Sequence, residues 1–173
     1  MSTGHVEYAS LNGTHIFKLI GEVRAHSCIS LDKLLNKIEQ QQNVVGAIVD
    51  LTQTTLIDSS VLGVLAKLGL KLKQIHKIQA VMLSTNQDIT TLANSMGLGQ
   101  VFVILNYCGD PSLCTLELTE EYVTHSAMLN TVLDAHKTLM RLNQNNQNMF
   151  EPLVKQLQKE QDCLNLDAHK QNA

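Results

Sequence analysis

The sequence predicts an α/β fold in which a mixed sheet carries its helices mainly on one face, followed by a C-terminal helical extension. Two short extended segments flank Asn12-Gly13, a dipeptide suited to the positive φ angles of a tight hairpin turn. The run from Val44 to Leu51 is almost entirely apolar and rich in β-branched residues, which is typical of a strand buried on both faces. Amphipathic and apolar segments then alternate, as in a parallel or mixed sheet with helical crossovers.

The elements follow in a regular order along the chain. Residues 5 to 11 and 15 to 24 are predicted to form the hairpin, and the apolar stripe Leu31, Leu34, Leu35 and Ile38 predicts a first helix. After the central strand, helical spacing indicates a second helix from Ser60 to about Gln74. A strand at 80–84, a helix at 88–96 closed by Gly97, and a last strand at 101–105 complete the domain.

The composition changes near residue 106, so we predict a first domain over 1–106 and a helical extension over 107–173. The polar run Asn143–Asn148 and Pro152 divide the extension into two helical pieces, with a frayed end over about the last ten residues. The apolar stripe of the first piece, which includes His136, must be buried against something. The sequence is compatible with three arrangements of this stripe: it packs on its own domain, it mediates a homodimer, or it fills a groove on a partner.

Composition excludes several classes of function. The formal net charge of −3 offers no broad basic field for a phosphate backbone, and 3% aromatic residues with no Trp leave few platforms for base stacking. Nucleic acid is therefore not an expected partner. No uncharged apolar run approaches the ~18 residues needed to span a bilayer, and the N-terminus lacks a signal-peptide pattern. A cytoplasmic protein is expected.

The cysteines and histidines give no sign of a metal site or a cofactor. The four cysteines contain no CxxC pair, so reduced thiols are expected. The seven histidines contain no HxxxH or HExxH spacing that would place two of them on one helical face. We therefore predict neither a metal nor a cofactor.

The most informative motif is Asp58-Ser59-Ser60, which follows the central strand and a polar segment from Thr52. Polar residues before an apolar helical run are typical of a helix N-cap. In an α/β sheet this strand-to-helix junction lies at the carboxyl end of the strand, where ligands commonly bind.

The motif admits three interpretations. Unpaired N–H groups and a partial positive charge at a helix start tolerate a phosphate, and phosphorylation there would add about −1.5 to −2 charge units beside Asp58. The same residues also form an ordinary N-cap with no further role. A catalytic Ser59 is the weakest interpretation, because no G-x-S-x-G elbow surrounds it and no histidine lies within the loop.

Over roughly residues 5 to 105 the sequence resembles the STAS domains of bacterial anti-sigma factor antagonists. The most specific likeness is Ile48-Val-Asp-Leu-Thr followed by Ile57-Asp58-Ser59-Ser60-Val-Leu-Gly63, which is similar to the strand, loop and phosphorylated-serine motif of that family. Gly21-Glu-Val and Ser95-Met-Gly97-Leu98 also stand in family-like places. The resemblance implies a sheet flanked by helices in the order predicted above.

The resemblance further implies a phosphorylation-controlled partner switch, with Ser59 as phosphoacceptor and Ser60 as the alternate. The implied partners are an anti-sigma factor or serine kinase with an ATP site of the histidine-kinase type, and a PP2C-like phosphatase. The protein would be a substrate and binding module rather than an enzyme. The predicted partner-binding residues are Arg24, Thr54, Thr55, Asp58, Ser59, Ser60 and Val61.

Two residues depart from the family pattern. Arg24 stands where many members carry an aspartate, and Val61 stands where glycine often follows the two serines. The cation at Arg24 motivates an alternative function, a constitutive STAS adaptor of a transport or lipid-handling complex in which Ser59 only caps the helix. Val61 stiffens the first helical turn but remains compatible with a helix.

Overall fold

A computed structural model of the chain describes residues 4–106, 115–119 and 122–171. Six strands form one mixed sheet in the order β5-β4-β3-β2-β1-β6. Strands β2 to β5 are parallel to one another, and β1 is antiparallel to both β2 and β6. The predicted α/β class, with a mixed sheet and C-terminal helices, is therefore confirmed.

The strands and α-helices have the following bounds. The strands are β1 His5–Leu11, β2 Thr14–Val23, β3 Gly46–Ile57, β4 Ala80–Leu83, β5 Phe102–Leu105 and β6 Leu116–Glu117. The helices are α1 Cys28–Glu39, α2 Ser59–Lys71, α3 Gln87–Ser95, α4 His125–Met140 and α5 Gln144–Gln171. A π-helical segment, Leu72–His76, continues α2, and short 3-10 turns precede α1 and follow α3.

One hydrophobic core joins the central strand to the helices. Along β3, Ala47, Val49 and Leu51 are buried and alternate in part with half-buried positions, which gives the strand an inner face. The same core includes Leu62 and Leu65 of α2, together with residues of α1, α3, α4 and α5. The sheet and helices of the domain and the two C-terminal helices are thus one packed unit.

The opening hairpin forms where it was predicted. Asn12 and Gly13 have φ angles of 49° and 80°, and β1 pairs with β2 in register on both sides of this turn. Gly97 likewise ends α3 with a φ angle of 82°. In both places a local steric preference was enough to predict the backbone.

The structure corrects three details. Strand β3 continues to Ile57, where a polar loop was predicted, because Thr54 donates its hydroxyl hydrogen to the Leu19 carbonyl at 2.8 Å and the strand stays paired with β2 through two irregularities. Strand β6, on the edge of the sheet, was not predicted. The C-terminal extension forms two helices that divide at residues 141–143, so the polar residues from Gln144 onward begin α5, and Pro152 lies inside that helix.

A buried histidine on β2 makes the stability of this fold sensitive to pH. His15 is fully buried and its Nδ1 lies 2.7 Å from the hydroxyl of Tyr8. Burial, with a smaller contribution from His76, lowers the pKa of His15 below its usual value. The unfolded chain therefore binds the proton more readily than the folded chain.

We expect the free energy of unfolding to fall as the pH drops below about 6.5, the pKa of an unfolded histidine. Above that pH the contribution of the buried His15 ring to the free energy of unfolding is fully present. Urea unfolding at pH 7.5 and 5.5 should show a smaller loss in His15→Phe than in the wild type. Equal losses in the wild type and His15→Phe would contradict the assignment.

Candidate functional site

Asp58 shapes the start of α2 through both of its carboxylate oxygens. It is the N-cap residue, with an extended backbone, and its Oδ1 accepts a hydrogen bond from the Val61 N–H at 3.0 Å. Its Oδ2 accepts from the Ala25 N–H at 2.7 Å, 33 residues earlier in the chain. One side chain therefore caps α2 and ties the end of β2 to it.

The two neighbouring serines occupy different environments. Ser59 opens α2 and is half-buried, whereas Ser60 is buried with 7% of its surface exposed. Helical geometry separates the two side chains by about 100° around the axis, so only one of them can face outward. A modifying enzyme would reach Ser59 more readily than Ser60.

A histidine from the C-terminal extension contacts Ser59. The Ser59 Oγ lies 3.0 Å from Nε2 of His136, and Nδ1 of the same ring lies 2.8 Å from the Val132 carbonyl oxygen. A carbonyl only accepts hydrogen bonds, so Nδ1 carries a hydrogen and donates it. In the neutral ring Nε2 is then the acceptor, and the Ser59 hydroxyl donates to it.

Helix α4 reaches the serine because it lies unusually close to α2. A β-carbon added to Gly63 would stand 2.4 Å from the Ala135 carbonyl oxygen, so only glycine permits this approach. Lys67 reinforces the contact, because its Nζ lies 2.7 Å from Asp134 on α4 and 2.8 Å from Asp32 on α1. Burial opposes the charge of Lys67, but these two carboxylates outweigh it and raise the pKa of the lysine.

Apolar burial contributes more free energy to the attachment of α4 than the hydrogen bond to Ser59 does. Leu129, Leu133 and Leu139 of α4 are buried, and roughly 1.5–3 kcal/mol for each buried leucine is an upper figure for this attachment. The single hydrogen bond between Ser59 and His136 contributes about 0.5–1.5 kcal/mol. Apolar packing therefore holds the helix, and the hydrogen bond orients the serine.

The junction between α4 and α5 is anchored at the end of α3. The fully buried Asn146 donates from its amide to the carbonyls of Met96 and Leu139, both at 2.8 Å. Phe150 of α5 packs edge-on against the His136 ring, with centroids 5.0 Å apart. Helix α5 thus also contacts the histidine ring.

The predicted partner-binding residues divide into accessible and inaccessible groups. Arg24 and Thr55 are exposed, and Arg24 pairs with Glu22 at 3.0 Å. Thr54 and Val61 are buried, so their side chains support the site from inside. Leu56, which sequence reasoning did not select, is 36% exposed and lies between Thr55 and the start of α2.

Sequence reasoning did not assign a role to His136. The residue stood in the apolar stripe of the predicted C-terminal helix, and a polar ring at a buried helical position was the available signal. Its partner could not be read from that position, because Ser59 lies 77 residues away.

Within residues 4–106, 115–119 and 122–171, no three His, Cys, Asp or Glu side chains are grouped closely enough to hold a metal ion. Over the same residues, none of the helices is both long and apolar enough to cross a bilayer. Cys108 and Cys114 lie outside the described residues. The buried Cys28 has its pKa raised by burial, with smaller contributions from Asp58 and Asp32, so it is a poor nucleophile.

Comparison with known proteins identifies the family of the domain. The family model described as "STAS domain" matches residues 5–116, which leaves α4 and α5 outside the match. A structure titled the Bacillus cell fate determinant SpoIIAA in the phosphorylated form matches with a TM-score of 0.49 and 17% identity, over 58% of this chain and 91% of that chain. The anti-sigma factor antagonist SpoIIAA in its unphosphorylated form matches with a TM-score of 0.51 and 13% identity, over 60% and 89%. No curated protein sequence matches the chain.

Proposed function

This protein belongs to the STAS-domain family, and from that premise we propose that it is an anti-sigma factor antagonist whose partner binding is controlled by phosphorylation of Ser59. The observation that carries the proposal is the placement of the Ser59 hydroxyl. It is half-buried at the start of α2, directly after a carboxylate that accepts two backbone hydrogen bonds.

The surroundings of Ser59 support a change of binding without a change of fold. The Asp58 carboxylate already satisfies the Val61 N–H, so the helix needs no hydrogen bond from the Ser59 side chain at that position. A phosphate on Ser59 would add about −1.5 to −2 charge units next to this carboxylate. A partner that buries the surface in its unmodified form would then meet an uncompensated negative charge, which is costly to desolvate.

The accessible surface beside the serine has the composition of a small protein-binding patch. Arg24, Thr55 and Leu56 are exposed, and they stand within a few residues of Asp58 or of its hydrogen-bond partner Ala25. A cation, a hydroxyl and an apolar side chain can provide both polar and hydrophobic contacts. We therefore assign the predicted partner-binding role to these five residues, with Thr54, Ser60 and Val61 as their buried support.

The proposed partners are an anti-sigma factor or serine kinase with a histidine-kinase-like ATP site, and a PP2C-like phosphatase. In this proposal the unphosphorylated form binds the kinase or anti-sigma factor in the cytoplasm, and the protein contributes no catalytic group. A similar structure is titled as the anti-sigma factor antagonist SpoIIAA in its unphosphorylated form, which is the state proposed here to bind the partner.

The decisive experiment combines a pull-down with phosphosite mapping. The Ser59→Ala chain is used as bait to capture the kinase, which is then incubated with the wild type and ATP. We expect phosphate on Ser59 by mass spectrometry, and at least tenfold weaker binding of the captured partner to Ser59→Asp than to Ser59→Ala, since the added carboxylate places an unpaired negative charge at the interface.

Ser60→Ala is the matched control, and it should still be phosphorylated at residue 59. Equal partner affinities of the wild type, Ser59→Ala and Ser59→Asp would reject the switch. Recovery of transporter or lipid-handling subunits with equal affinity for all three chains would support the constitutive adaptor instead.

A further inference from the structure

Helices α4 and α5 lie outside the region that matches the STAS domain, yet α4 contacts the serine on which that domain's proposed function depends. The contact is made by His136, the residue after Ala135, whose backbone lies against Gly63 of α2. The C-terminal helices are therefore placed to respond to any change at Ser59.

Phosphorylation removes the hydrogen on which this contact depends. In the unmodified chain the Ser59 hydroxyl donates to Nε2, because Nδ1 donates to the Val132 carbonyl. In a phosphoserine the Oγ is an ester oxygen with no hydrogen, so the hydrogen bond that the hydroxyl donates to Nε2 at 3.0 Å is lost. The added charge would also lie close to the Asp58 carboxylate.

The surroundings of the His136 side chain leave its ring little room to rotate. It is only 2% exposed, its Nδ1 is bonded to the carbonyl of its own helix, and Phe150 packs against its edge. A large rotation of the ring would break the bond to Val132 and displace Phe150. The less costly response is a small movement of the helical turn that carries the ring.

We infer that His136 is a positioning residue through which the C-terminal helices sense the phosphorylation state of Ser59. This inference rests on the proposed function, and it adds that docking of α4 and phosphorylation of Ser59 oppose each other. The response is a loosening of the turn from Val132 to His136 rather than release of the helix. The buried leucines of α4 and the bridge from Lys67 to Asp134 keep the helix attached.

The coupling acts in both directions. If phosphorylation weakens docking of this turn by a given factor, any change that loosens the turn favours the phosphorylated state by the same factor. The C-terminal helices, which lie outside the match to the STAS domain, thus present the state of Ser59 on a surface of their own.

Hydrogen exchange on the full chain tests the inference. Phosphoserine is installed at position 59 during synthesis, so neither a kinase nor a partner is needed. We expect amide exchange in the turn from Val132 to His136 to be about tenfold faster than in the unmodified chain, the factor associated with losing one hydrogen bond. Phosphoserine at the exposed Ser10, on a strand that pairs with β2 and β6, carries the same charge and should leave this exchange unchanged.

Two substitutions of His136 distinguish the hydrogen-bonding role of its ring from its role in packing. In His136→Phe, which keeps a ring against Phe150 but has no acceptor, phosphoserine 59 should produce little additional exchange. His136→Gln restores an acceptor and should restore part of the effect, and His125→Phe on the same helix should behave as the wild type.

Unchanged or slower exchange in the Val132–His136 turn on phosphorylation of residue 59 would overturn the inference, as would equal acceleration by phosphoserine 10. Faster exchange in the turn with phosphoserine 59, combined with a Ser59→Ala pull-down that captures no kinase, would support the coupling and reject the proposed switch. The two proposals therefore fail separately.

Discussion

Replacing Gly63 with alanine is expected to destabilise the protein by about 2–3 kcal/mol, although the same replacement usually stabilises a helix interior by up to about 1 kcal/mol. The added β-carbon would lie 2.4 Å from the carbonyl oxygen and 2.8 Å from the β-carbon of Ala135. Both are atoms of α4 that cannot rotate away. The two helices must separate, and the packing of Leu133 and Leu139 loosens with them.

Urea unfolding monitored by circular dichroism measures this effect. Gly46→Ala is the matched control, because its added β-carbon would lie 3.8 Å from the Thr14 side chain, an ordinary contact distance. We expect this control to change the free energy of unfolding by less than about 1 kcal/mol. A Gly63→Ala chain as stable as the wild type would show that α4 does not lie against α2 in solution.

Replacing Asp58 with alanine is expected to destabilise the protein by about 2–4 kcal/mol. Loss of an N-cap costs about 1 kcal/mol, and loss of a hydrogen bond to a charged acceptor costs about 1.5–3 kcal/mol. Asp58 makes both kinds of bond, one to Val61 within α2 and one to Ala25 across the chain. Asp58→Asn keeps only one acceptor oxygen and should fall between the wild type and Asp58→Ala.

Asn86 provides the comparison within the same protein. It is the N-cap of α3, and its side chain accepts a single bond from the Asp88 N–H at 2.9 Å. Asn86→Ala should therefore lower the free energy of unfolding by only about 1 kcal/mol. Equal losses in Asp58→Ala and Asn86→Ala, measured in urea at one pH, would show that the bond to Ala25 contributes nothing.

These two sites bear on function through the same serine. Asp58 sets the direction in which α2 begins, and Gly63 sets the distance from α2 to the helix that carries His136. Ser59 lies between these two constraints, with its hydroxyl oriented by the second of them. Moderate changes at either site should therefore alter the environment of Ser59 even where the chain remains folded.

Local steric and capping preferences made much of the fold predictable. The Asn12-Gly13 turn and the end of α3 at Gly97 depend on backbone angles that few residues adopt. The first helix was predicted from its apolar stripe, and Leu31, Leu35 and Ile38 are indeed buried on one face. The Asp58 cap was visible in the sequence because its bond to Val61 spans three residues.

Predictions failed where a distant partner outweighed the local pattern. The polar residues after Leu51 form strand because β2 offers them hydrogen bonds, including the carbonyl of Leu19. The helix that begins at Gln144 is held in place by Asn146, whose side-chain amide donates to the carbonyl of Met96, 50 residues earlier in the chain. Neither Leu19 nor Met96 could be identified as a hydrogen-bond partner from the local sequence pattern.

The sequence by itself determined the order of the first five strands and of the helices, the turn at Asn12-Gly13 and the motif that singles out Ser59, because each depends on residues within a few positions of one another. Only the tertiary structure decided that Ser60 points inward, that α4 covers α2 at Gly63, and that His136 accepts the Ser59 hydrogen bond. Those outcomes depend on contacts across 77 residues of chain, which form only when burial of apolar surface brings the helices together.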